Sequence, residues 1–144
     1  MADLNPLIRV RKHTVEQKQK ALAELYRQAE ELISQKKNLL DRLAVERQKV
    51  DEMGVEALGY FGRYSEVVRE RAEEIDESMK MLESRIEVAR EDMRLAFAEL
   101  KKIEITQERR DEAEETARNK KDDQILDDIA IEGYRRKVAD EEGD

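Results

Sequence analysis

Cysteine is absent from the sequence, which removes a disulfide frame, a thiol nucleophile and a thiolate metal site, and fits a reducing compartment. The single proline, Pro6, leaves no other proline to break a helix along the rest of the chain. A lone histidine, His13, cannot assemble a metal site. Tryptophan is missing and aromatics make up 4% of residues, too few for a broad packed core. No apolar run approaches the ~18 residues of a membrane span, and the opening MADLNPLIRVRK lacks the apolar centre of a secretory signal. A cytoplasmic location without membrane insertion is therefore expected. Glycine is also scarce, and three of the five fall between Met53 and Gly62.

What is abundant is charge. Of 144 residues 44% are Asp, Glu, Lys or Arg, and the net charge is −8. Residues 1–53 carry 11 basic and 9 acidic side chains, residues 54–103 carry 9 and 12, and residues 104–144 carry 8 and 15. The acid-rich end argues against nucleic acid as a partner, since phosphate binding needs clustered Lys and Arg.

Apolar residues follow helical spacing on both sides of the glycine cluster. Before it, a heptad places Ile8, Val15, Leu22, Ala29, Lys36, Leu43 and Val50 at a, and Arg11, Lys18, Leu25, Leu32, Leu39, Glu46 and Met53 at d. After it, Val68, Ala72, Ile75, Met79, Leu82, Ile86, Ala89, Met93, Ala96, Leu100 and Ile103 form a second seam that then stops. Folding the chain back about position 55 sets residue 7 opposite residue 103, so the second seam ends where its partner runs out. A parallel dimer of straight helices gives no reason for that end. The expected fold is all-α, a long antiparallel coiled-coil hairpin, monomeric when alone, with a C-terminal single-helix overhang. Asn5 is expected to cap helix one over about 6–53, with Pro6 at its first position. Gly54 suits its C-terminus, the bend covers about 54–59, and helix two covers about 60–138. Tyr60, Phe61 and Tyr64 are expected to pack across the bend, and residues 139–144 to form an acidic flexible tail.

Three apolar features lie outside the seams. Tyr26, Ile33 and Leu40 repeat every seven residues at e of helix one, which reads as a widened core. Met81, Val88 and Leu95 repeat at c of helix two, roughly 130° from the seam at about 100° per residue. A line of apolar residues on a wet face is a candidate partner site. From Glu104 to Gln124 the helix is charged all round, sustained by propensity and by opposite charges such as Glu114 with Arg118. Ile125, Leu126, Ile129 and Tyr134 then restore an apolar face beyond the reach of helix one, a second candidate docking surface.

Catalysis needs groups converging in a concave, partly dry site, which a two-helix hairpin does not offer. There is no phosphate-binding loop, no base is suggested beside any of the four serines, and the acidic pairs read as solvated surface. A non-enzyme without cofactor or metal is expected.

At this point the residues show a resemblance. The opening Pro6-Leu7-Ile8-Arg9-Val10-Arg11-Lys12 with alanines at Ala21, Ala23 and Ala29, the bend Met53-Gly54 followed by Tyr60 and Tyr64, and the segment Leu126-Asp127-Asp128-Ile129-Ala130 before Tyr134-Arg135-Arg136 are similar to the FliJ family. This is the small coiled-coil component of the bacterial flagellar type III protein-export apparatus. The resemblance implies a stalk that binds the export ATPase ring, contacts the export-gate membrane protein at the cytoplasmic face of the inner membrane, and assists export chaperones. Three alternatives are the equivalent stalk of a virulence secretion system, a coiled-coil factor entering a transcription channel with Asp51, Glu52 and Glu56 at its tip, and a structural homodimer paired through the overhang.

Overall fold

A computed structural model describes residues 3–143. They form two helices, α1 (Asn5–Met53) and α2 (Glu56–Glu142), and no strand among the described residues. Between Pro6 and Met53 no glycine or proline interrupts a sequence rich in Ala, Leu, Glu, Gln, Lys and Arg, the residues that lose least on entering a helix. The start differs by one residue from the expected one. Leu4 accepts the first helical bond from Ile8 N–H at 2.9 Å, and Asp3, not Asn5, supplies the capping oxygen, accepting from Asn5 N–H at 3.0 Å. Pro6 stays within the first turn, where its missing donor costs nothing.

The connection is tighter than the sequence suggests. Gly54 has φ of 94°, the left-handed conformation that side chains resist, and its N–H donates to Val50 C=O at 3.2 Å to close the last turn of α1. Ala57 N–H donates back to Gly54 C=O at 3.3 Å, and α2 is under way by Glu56, whose carboxylate suits a helix N-terminus. The bend is thus Gly54 and Val55 alone, and Gly59 and Gly62 are helical. α2 continues through residues 139–142, so the helix takes in most of the segment expected as a tail; Asp144 lies outside the described residues.

The chain divides into two compact units, Arg11–Ala98 and Met1–Val10 with Glu99–Asp144. In the first, α1 and α2 run antiparallel along a single seam. Val15, Leu22, Leu25 and Val50 of α1 are buried, as are Val68, Ala72, Ile75 and Leu82 of α2. Every other a or d position of α1 in this unit is half-buried, except Met53 at the bend. Leu32 and Met79 border one groove, the pairing that the seams require. Lys36 Nζ stands 2.7 Å from Asp76 Oδ1, across the seam. The Arg11 Nε is withdrawn from water without a hydrogen-bond partner, so this seam arginine does not keep its whole head in solvent.

In the second unit Leu100 is buried, while Ile8 and Ile103 are half-buried. Leu4 N–H donates to Gln107 Oε1 at 2.9 Å. Gln107 and Arg110 are also half-buried, so a polar heptad extends the seam beyond Ile103, its expected end. From Asp111 to Lys137 every residue is exposed.

Candidate interaction surfaces

Among the described residues no three His, Cys, Asp or Glu side chains are grouped to hold a metal, and His13 Nε2 lies 3.1 Å from Gln17 Nε2 on the exposed face. What the geometry presents is apolar surface held by rigid helices, in several places.

The c line of α2 is one. Met81, Val88 and Leu95 are all exposed, seven residues apart along the paired unit, on heptad positions outside the seam. Val88 borders a hollow of about 340 Å³ with Leu25, Ser84, Arg85, Ala89 and Asp92.

The e line of α1 is the second, and it corrects the sequence reading. Tyr26, Ile33 and Leu40 are 45%, 57% and 46% exposed, not core. The reason is that a hairpin of two helices has no third element to cover an e position. These side chains instead border two grooves. One lies between Tyr26 and the pair Met93 and Phe97, and the other between Ile33, Leu40 and the pair Ile75 and Met79, with volumes of about 610 and 710 Å³.

The bend is the third, and sequence reasoning missed it. Met53, Val55, Leu58 and Tyr60 are exposed, Val55 by 83%, whereas only Phe61 and Tyr64 of the expected aromatic closure are half-buried. A two-residue connection is too short to fold these side chains back over the end of the seam. The available signal was the density of apolar residues around Gly54.

The C-terminal helix is the fourth. Ile125, Leu126, Ile129 and Tyr134 are exposed on α2, as sequence spacing required, and Ile131 is exposed with them.

Besides Lys36 with Asp76 across the seam, charges around these surfaces pair along single helices. Arg27 donates to both oxygens of Glu24 at 2.7 and 2.9 Å, and these bonds, with one from Gln28, hold the Glu24 carboxyl down at about 2. The same Glu24 carboxylate pushes the Arg27 guanidinium up. Arg94 donates to Glu91 at 2.6 and 3.0 Å and lowers that carboxyl in the same way. All four groups are solvated, so these pairs stiffen helix faces without creating reactive groups. No helix among the described residues is long and apolar enough to cross a membrane.

A charged antiparallel pair of long helices defines a coiled-coil protein. The family profile of the flagellar FliJ protein matches residues 1–139, and the chain belongs to that family, a non-catalytic component associated with flagellar protein export. No curated protein and no solved structure matches it.

Proposed function

We propose that the chain is a stalk of the flagellar export apparatus, binding the export ATPase ring and regulating it. In this reading it also contacts the export-gate membrane protein at the cytoplasmic face of the inner membrane and assists export chaperones during flagellum assembly. The family match favours the flagellar system over its virulence counterpart. The observation that carries the reading is the C-terminal helix, exposed from Asp111 to Lys137 yet apolar along Ile125, Leu126, Ile129 and Tyr134. An isolated helix that long gains little from its own hydrogen bonds, and its apolar face gains free energy on docking to a partner. The line of Met81, Val88 and Leu95 supplies a separate surface for a second partner.

Such a protein acts through position, not through bond chemistry. The test is hydrolysis of ATP by the purified cognate export ATPase with and without the full chain. A change in rate that saturates with added chain supports the reading, and an unchanged rate at all ratios rejects the regulatory role.

A further inference from the structure

The exposed C-terminal face carries an order that docking to a foreign protein does not require. Six of the seven charges on it within residues 118–141 reverse sign about the point midway between Ile129 and Ala130, the seventh, Asp140, facing Asn119. Asp122 and Lys137 are equidistant from that point, as are Asp123 and Arg136, and Arg118 and Glu141. In each case one member is acidic and the other basic.

Two of the three apolar pairs about the same point set a large residue against a small one. Ile125 is matched with Tyr134, Leu126 with Gly133, and Ile129 with Ala130. At about 100° per residue all these positions fall on one half of the helix surface, while Asp127, Asp128 and Glu132 fall on the other.

Gly133 is the second observation. It sits inside α2 without a positive φ, and nothing lies within 4 Å of the position its Cβ would take. Glycine weakens a helix interior, and neither a turn nor packing within the chain accounts for it here. Gly59 and Gly62 have the same open space, but the position symmetric to Gly133 is Leu126, whose side chain would use it.

We propose that two copies of this chain pair antiparallel through residues 118–141. In that arrangement Leu126 of one copy seats over Gly133 of the other, and the three charged positions on each side meet opposite charges. A parallel pair would set Asp122 against Asp122 and Lys137 against Lys137, which repel. The ion pair of Arg136 with Glu132, at 3.4 Å and well exposed, is weak enough to exchange for one with Asp123. Self-pairing covers the same face that docks in the proposed stalk, so a partner must displace the second copy. The inference does not depend on which partner that is.

Sedimentation equilibrium of the full chain from ~5 to ~500 µM at low salt spans the affinities of small interfaces. A reversible monomer–dimer equilibrium is expected. Asp122→Lys should weaken it about tenfold, and Asp122→Lys with Lys137→Asp should restore it, because the swap recreates the pairing in a symmetric dimer. Circular dichroism establishes that each variant keeps its helix content. Because the chain has no cysteine, Leu126→Cys and Gly133→Cys report orientation. A mixture of the two variants should form disulfide-linked dimers, and Leu126→Cys alone should not. A monomer at every concentration, a double swap no better than the single variant, or equally fast linkage of Leu126→Cys alone would each overturn the proposal, the first leaving the face to a foreign partner.

Discussion

Lys36 Nζ lies 2.7 Å from Asp76 Oδ1, joining a seam position of α1 to the flank of α2 forty residues later. Both side chains are more than a third exposed, so solvent screening leaves the pair contributing on the order of 0–1 kcal/mol. Its larger effect is on register, since a shifted pairing would strand the Lys36 ammonium against apolar neighbours. Lys36→Leu should therefore raise the thermal midpoint, because a leucine at this half-buried position adds burial worth about 1–2 kcal/mol. Asp76→Ala should move it by less than about half as much. Circular dichroism melts decide this, and a lower midpoint for Lys36→Leu would show that the ion pair outweighs the packing.

The seam and the side lines should respond oppositely to truncation. Leu82 and Ile75 are buried, so Leu82→Ala or Ile75→Ala should cost about 2–4 kcal/mol, toward the low end because the core is one row thick. Val88→Ser and Leu95→Ser, on exposed positions, should stay within about 0.5 kcal/mol while weakening partner binding. Urea unfolding measures both. A large loss from the second pair would make the c line part of the core.

Most of this architecture was readable in advance because a coiled coil is a local code. Heptad position alone told which residues of α1 and α2 leave water, including charged Lys18, Lys36 and Glu46, and the glycine cluster located the reversal. What escaped were effects of neighbours that periodicity does not count. Tyr26, Ile33 and Leu40 look like core in a helical wheel, but burial there needs a third helix. Tyr60 looks like part of a lid with Phe61 and Tyr64, but it stays exposed while those two are half-buried. Ile103 looks like the end of the seam, but the N–H of Leu4, left without a helical partner at the first turn of α1, gave the Gln107 side chain a reason to lie inside it. The candidate surfaces Met81, Val88, Leu95 and Ile125 to Tyr134 were legible as apolar residues in the wrong place for a core. Their partners were not, since a helix face records its own chemistry and only indirectly that of its complement.

The glycines of the bend should separate by sign. Gly54→Ala forces a side chain into the left-handed region and should destabilise by about 1–2 kcal/mol. Gly59 and Gly62 lie in α2 with open space where a Cβ would stand, so alanine at either should stabilise by about 0.5–1 kcal/mol. Thermal melts of the three variants test this. Destabilisation by Gly59→Ala or Gly62→Ala would mean that these glycines serve the flexibility of the bend and not its static geometry.

Glu24 offers a titration test. Its carboxyl is depressed from 4.5 to about 2 in the folded chain, chiefly by hydrogen bonds from Arg27. A depressed carboxyl contributes stability that is present above the unfolded value and is lost as pH falls from about 4.5 through about 2. Since both groups are exposed, the effect on stability should be small and should fade with salt. Carboxyl chemical shifts followed by NMR should place Glu24 well below the ordinary carboxylate range, and Arg27→Gln should bring it back up. A normal titration in the unmodified chain would show that Arg27 does not hold its two hydrogen bonds in solution.

The C-terminal helix yields the most direct functional prediction. Residues 124–144 lie beyond the hydrogen bond of Leu4 with Gln107 and include the exposed face of Ile125, Leu126, Ile129 and Tyr134. No seam residue is removed by ending the chain at residue 123. The truncated chain should therefore melt near the full chain, with a loss of helical signal limited to the residues deleted. It should nevertheless fail to stimulate the export ATPase and fail to support motility. The salt dependence of binding by the full chain distinguishes the cause. At 1 M salt the screening length falls to ~3 Å and exposed charge effects largely vanish, whereas apolar contact persists. Binding that survives high salt in the full chain and is absent from the truncated one assigns the interaction to the apolar face. Binding abolished by salt assigns it to the acidic residues around that face. If the truncated chain stimulates the ATPase and restores motility as well as the full one, docking resides elsewhere, and the line of Met81, Val88 and Leu95 becomes the surface to alter next.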